Sequence, residues 1–123
     1  MANDFKSFSK SNIAIDSGTY STVYTVPYTA TPVEAILLEV DIANTTSNDI
    51  TVDCKLNKNS GGTGGTDDIF IVKAAPLPAG GALKVVSGQK VVMEGTATGL
   101  DTVSVAASVA NAADCIVSLL EDV

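Results

Sequence analysis

The chain has 123 residues, 46% of them hydrophobic, with seven lysines, no arginine and no histidine against fourteen carboxylates, a formal net charge of −7. That length suits one domain with one core, and the acidity repels phosphate backbones while the missing arginine removes bidentate base readout, so nucleic-acid binding is excluded. No apolar run approaches the roughly 20 residues of a membrane-spanning helix, and the start, "MANDFKSFSKSN", lacks the pattern of an export signal, so the sequence predicts synthesis in the cytoplasm and no membrane partner.

Residues 1–19 are polar and aperiodic, with Phe5 and Phe8 the only large apolar side chains before Ile13 and Ile15. They read as an N-terminal arm rather than a strand. Two forms of the arm stand: a disordered tail, or a segment that orders when Phe5, Lys6 and Phe8 dock onto a neighbouring subunit. At residue 20 the period becomes two, with Tyr20, Thr22, Tyr24, Val26 and Tyr28 on one face. Pro27 and Pro32 then flank a loop, because neither donates to a ladder. The next run, 33–43, places Ile36, Leu38, Val40 and Ile42 together. After the turn "NTTSND", residues 50–56 point Ile50, Val52, Cys54 and Leu56 inward and Thr51, Asp53 and Lys55 outward.

"NKNSGGTGGTDD" is too polar to bury and reads as a loop tip. Strands follow at 69–73, 82–86, 90–94, 102–109 and 115–120. Between the first two, Pro76 and Pro78 remove ladder donors and Gly80-Gly81 permit positive φ, so "PLPAGG" is a corner. In "VSVAASVANAADCIVSLLEDV" the alternation of Val103, Val105, Ala107 and Val109 outweighs the helix-favouring alanines. Eight short strands punctuated by Gly, Pro, Asn and Asp predict an all-β fold, an antiparallel β-sandwich of immunoglobulin-like or jelly-roll type over residues 20–123, with the arm 1–19 outside it.

The chemistry-bearing residues are sparse. General acid-base and nucleophilic catalysis usually draw on histidine, which is absent, and the acids fall singly on outward phases and turns, where they read as solvated charge. The glycines at 61, 62, 64 and 65 fit neither a P-loop nor G-x-G-x-x-G, and Asp67-Asp68 lacks the spacing of a calcium loop. Two cysteines without histidine make no zinc site; Cys54 and Cys115 lie on apolar phases and read as reduced core residues. No enzyme, metal or cofactor is predicted. What stands out is apolar surplus: in "IFIVKAA" Phe70 and Val72 alternate with Ile69 and Ile71, and in "CIVSLL" Ile116 and Leu120 alternate with Val117 and Leu119. A two-layer sandwich covers one face of each sheet, so strands apolar on both faces need a second cover, supplied by a partner subunit or by the chain's own arm or loops.

Three pieces, "TVYTVP" from Thr22, "APLPAGGAL" leading into "QKVVMEG", and the terminal "ADCIVSLLE", together resemble small virion structural proteins of tailed bacteriophages, especially marine and cyanobacterial phages. The resemblance runs from about Thr22 to the C-terminus and leaves the arm uncovered. It implies a capsid decoration or cement protein that binds the outer capsid surface, with the major capsid protein or other virion proteins as partners and a homo-oligomer on the particle. Phe5, Lys6, Phe8, Phe70, Val72, Ile116 and Leu120 are the candidate contacts. Two alternatives remain open: a neck or tail component at the head-tail junction, and a host-surface or glycan-binding module stacking sugars on Tyr20, Tyr24 and Tyr28.

Overall fold

The computed structural model describes residues 3–15, 20–59 and 68–122. Among them stand eight strands: β1 (Asn3–Lys10), β2 (Ser21–Thr25), β3 (Val33–Asn44), β4 (Ile50–Asn57), β5 (Asp68–Leu77), β6 (Ala82–Gly95), β7 (Thr102–Ala107) and β8 (Ala113–Asp122). The described residues contain no helix, so the alternation in "VSVAASV" prevails over its alanines.

First strand pairs with last, second with second-last and so inward: β1 with β8, β2 with β7, β3 with β6 and β4 with β5, all antiparallel. Ladders β3–β8 and β4–β7 then join these pairs into two sheets, ordered β1-β8-β3-β6 and β2-β7-β4-β5. A ribbon doubled on itself and rolled into two facing sheets is a jelly roll, which decides between the two sandwich types. Leu37, Val40, Ile42, Met93, Val117 and Leu119 of one sheet face Val52, Cys54, Val103 and Val105 of the other. Side chains of this size each add roughly 1.5–3 kcal/mol when fully buried. Ile13, between β1 and β2, closes one end of this core; its N–H donates to the Ala113 carbonyl and its carbonyl accepts from Asn111. Cys54 and Cys115 are buried and free, as the sequence predicts.

Several strands depart from the predicted register, each for a local reason. In β3 the buried set is Val33, Ala35 and Leu37, then Val40 and Ile42. Leu38 is a bulge residue against β8, where Leu37 and Glu39 pair with consecutive Leu119 and Ser118; against β6 the extra residues are on β6, whose residues 88–90 stand opposite Leu38 alone. One extra residue reverses a strand's phase, so Ile36 and Leu38 leave the face that Val40 and Ile42 keep. That irregularity absorbs "SGQ" within β6, which runs unbroken from Ala82 to Gly95 where the sequence predicts two strands. In β2 a bulge between Thr22 and Tyr24 buries both Val23 and Tyr24, and Val109 lies beyond β7 and is exposed.

Two further differences concern the edges. Over Asn3–Lys10 the arm is a strand, paired along its whole length with β8; its backbone completes the ladder while residues 4–10 stay exposed, which is why no apolar period announces it. β5 continues through Pro76 to Leu77, past the predicted stop, because β5 is an edge strand and a proline there can face away from the ladder. The corner itself is as predicted: Gly80 takes φ 69° and the Gly81 N–H donates to the Pro78 carbonyl at 2.9 Å.

Candidate interaction surface

With the core closed between the sheets, the outward side chains of β1-β8-β3-β6 fall into cross-strand rows set by the ladder register. One row is acidic, Asp122, Glu34 and Glu94 on β8, β3 and β6. The next is wholly apolar and crosses all four strands: Phe5, Leu120, Ile36 and Val92. Phe5 and Val92, at its two ends, are 79% and 51% exposed. Beyond a row of Ser7, Ser118, Glu39 and Ser87 comes Ser9, Ile116, Asp41 and Lys84, in which Ile116 is 47% exposed. Lys84 Nζ lies 3.0 Å from Glu39 Oε1 and 3.5 Å from Asp41 Oδ1. Bulge geometry built the apolar row: without the phase change at Leu38, Ile36 would share the inward face of Val40 and Ile42.

The inward side of β1 explains how this edge is held. Lys6 donates to Glu121 Oε1 at 2.7 Å, and the Tyr24 hydroxyl donates to Glu121 Oε2 at 2.6 Å. The Phe8 ring lies 4.9 Å from the Tyr24 ring, centroid to centroid. Glu121 is 1% exposed, and these two donors satisfy its two carboxylate oxygens. Burial, reinforced by the hydrogen bond to Glu121, pushes the Tyr24 hydroxyl well above the ordinary tyrosine value. Lys6 and Phe8 thus fasten β1 to its own chain and present Phe5 outward.

The outer face of β2-β7-β4-β5 is different in kind. Asp53, predicted outward and solvated, is buried, accepting from Tyr20 Oη at 2.8 Å, Lys73 Nζ at 3.1 Å and the Ala74 N–H at 2.6 Å. Lys55 Nζ sits 4.4 Å from the Tyr20 ring centroid, and Lys73 Nζ 4.9 Å from that of Phe70. Such cation–π contacts add about 0.5–1 kcal/mol each where exposed. Phe70, opposite Lys55, is exposed on this face, while its neighbour Ile69, opposite buried Leu56, is exposed on the other side of the β5 edge. A register shift between Cys54 and Lys55 sets Val72 opposite buried Cys54, so Val72 packs against the core while Phe70 does not.

Of the predicted contact residues, then, Phe5, Ile116 and Leu120 share one outer face, Phe70 lies on the opposite one, Lys6 and Phe8 point inward from the edge, and Val72 joins the core. Ile36 and Val92 complete the apolar row and were missed, because their place depends on a bulge that no local residue signals. Solvated charge also fails as an account of three acids: Asp53, Glu121 and Asp101 are buried, the last accepting from Lys58 Nζ, Asn59 N and Glu94 N at 2.8–3.0 Å. The tyrosine platform does not form, since Tyr24 is buried against Glu121. The glycine loop and Asp67 lie outside the described residues, and among the described residues no group of three His, Cys, Asp or Glu side chains is placed to hold a metal.

The fold and this open face define a jelly-roll β-sandwich with one apolar row across an outer sheet face. Solved virus-particle proteins have the same fold. The chain superposes on the infectious bursal disease virus VP2 subviral particle with a TM-score of 0.56 at 9% identity, over 97% of this chain and 32% of that one. It matches the T13 particle of the same virus with a TM-score of 0.54 at 8% identity over 97% and 30%, and the Gx strain with 0.53 at 12% over 98% and 31%. The chain therefore spans about a third of the length of these proteins. No family model matches the sequence, and no curated protein does.

Proposed function

We propose that this chain is a structural protein of a virus particle, and more narrowly a decoration or cement protein of a tailed bacteriophage that binds the outer capsid surface in many copies and stabilises the shell. The observation that carries the reading is a complete jelly roll whose core is closed, yet whose β1-β8-β3-β6 sheet keeps an apolar row across all four strands on its open side. Exposed apolar side chains gathered into one row support a protein-binding role for this face. The likeness to virus-particle proteins supports the class, and the resemblance of the sequence supports the narrower role. Net charge −7 favours the exterior, away from packaged DNA. Phe5, Ile116 and Leu120 are the contacts this assigns on the sheet face, with half-exposed Phe70 on the opposite face available to a neighbouring copy. Bound copies spanning subunit boundaries favour the assembled shell by mass action, since they bind it and not its separated parts.

A quantitative protein census of virions, purified from the virus whose genome encodes the chain, tests this. Decoration predicts hundreds of copies per particle, and a ring at the head-tail junction about a dozen. Absence from the particle would sink the structural reading.

A further inference from the structure

We propose that the groove between the acidic and apolar rows of the β1-β8-β3-β6 sheet receives a lysine or arginine side chain from a partner protein of different sequence. The inference rests on the proposal that the chain attaches to other virion proteins, and it names the chemistry of that attachment. The groove has a volume of about 260 Å³ and is lined by Glu34, Ile36, Val92, Leu120 and Asp122. Its lining combines three aliphatic side chains with two carboxylates. A lysine or arginine has this composition in reverse, an aliphatic stem that lies on apolar surface and a cationic head. Arginine adds a planar fork that can bond a carboxylate through two N–H groups.

Charge supplies the independent argument. Register puts Glu34 directly between Asp122 and Glu94, and like charges opposed across strands destabilise a sheet. Among the described residues no ion pair relieves them: Lys6, Lys55, Lys58, Lys73 and Lys84 pair with other acids. A row of mutually repelling carboxylates beside an apolar row is complementary to a cation arriving from outside. Two carboxylates in the groove fall short of a metal-binding group, which favours a side-chain cation. A second copy of this chain is a poor occupant, because it brings its own net charge of −7, no arginine, and among the described residues only Lys10 and Lys90 outside ion pairs.

The test uses the full chain and particles of the encoding virus assembled without it, with co-sedimentation at about 0.05 and 0.5 M salt. Wild type should bind and weaken as salt rises. The pair Glu34→Gln and Asp122→Asn, which keeps shape and removes charge, should weaken low-salt binding about tenfold or more and flatten the salt response. Val92→Ser should weaken binding at both salts, and Ile69→Ser on the other sheet should not. Removing opposed like charges should leave the melting temperature unchanged or raised; a fall would assign the acids a structural role and overturn the proposal. Equal binding by wild type and the amide pair would overturn it while leaving attachment to the particle intact. Failure of wild type to bind at all would remove the functional reading and this inference with it. Sedimentation equilibrium showing a wild-type dimer that the amide pair abolishes would make a second copy the occupant, and would also overturn it.

Discussion

Raising the pH above 9 should destabilise this protein steeply, and the two cysteines should be the cause. Burial pushes the Cys54 thiol up from 9.0 to about 12, with the neighbouring Cys115 adding to it, and burial together with Asp41 pushes Cys115 to about 12 as well. The folded state therefore keeps two protons that the unfolded chain releases from pH 9. Stability is whole below pH 9 and is lost as pH climbs toward 12. One proton over one pH unit corresponds to about 1.4 kcal/mol, so two give a slope near 3 kcal/mol per pH unit. Against a total of about 5–15 kcal/mol, two such units remove about 6 kcal/mol, all of a margin at the low end and a little under half of one at the high end. Buried Tyr24 steepens the slope above pH 10, where an unfolded tyrosine ionises and the folded one does not. Lys6 and Lys84, raised by Glu121 and by Glu39, lose their contributions above 10.5, so the cysteine window is the one between 9 and 10. The assay is urea unfolding in reducing buffer at about pH 8, 9 and 10. Cys54→Ala and Cys115→Ala should each remove about half the slope, whatever they do to stability at pH 8. A flat profile, or an undiminished slope in the double alanine variant, would refute the reasoning.

Three other substitutions probe the framework, each read by chemical denaturation near neutral pH. Asp101→Ala strips Lys58, Asn59 N and Glu94 N of a common acceptor and should cost about 3–5 kcal/mol; a loss near zero would show that the carboxylate is not the clasp. Asn44→Ala should remove about 2–4 kcal/mol, because Asn44 Nδ2 donates to the carbonyls of Asn48, Leu77 and Pro78 and its Oδ1 accepts from Thr46, tying the "PLPAGG" corner to the end of β3. Gly95→Ala would drive a Cβ into the Pro27 carbonyl oxygen, and a loss of at least about 2 kcal/mol is expected; an unfolding free energy unchanged within error would refute that close approach.

How much of this was legible follows from which signals are local. In β4 and β8 the alternation of residues alone names the buried set, Ile50, Val52, Cys54 and Leu56, then Cys115, Val117 and Leu119, and the surplus on the other phase of β8 is real, since Ile116 and Leu120 face outward. Periodicity fails where the backbone inserts a residue. Leu38 looks like any apolar strand residue, yet it is the bulge that moves Ile36 out, so the apolar row could not be assembled from the sequence. It fails also for β1, whose inward residues Lys6, Phe8 and Lys10 form no apolar stripe and whose strand exists because β8 offers an edge. Acids mislead for a third reason: Asp53, Asp101 and Glu121 occupy positions where a charge is normally solvated, and only three-dimensional neighbours reveal the donors that permit burial.

Those buried acids bear on the surface as well. Each takes a lysine, Lys73, Lys58 and Lys6 respectively, while Lys55 and Lys84 are held by Asp68 and by Glu39 with Asp41. That leaves Lys10 and Lys90 outside the ion pairs among the described residues. Lys10 ends β1 opposite Cys115, far from the Asp122 end, and Lys90 stands four residues from Glu94, about 13 Å along β6 at the rise of a strand. Drawing Lys6 or Lys58 across to the acidic row would strand a buried carboxylate, at a loss of about 3–5 kcal/mol. That exceeds the 0.2–1 kcal/mol or so that an exposed pair returns. Three of the fold's cations are committed to buried acids and two to exposed ones, so under the proposed docking the neutralisation of Glu34, Glu94 and Asp122 would fall to a partner's cation, which would gain on-rate from the unpaired acidic row.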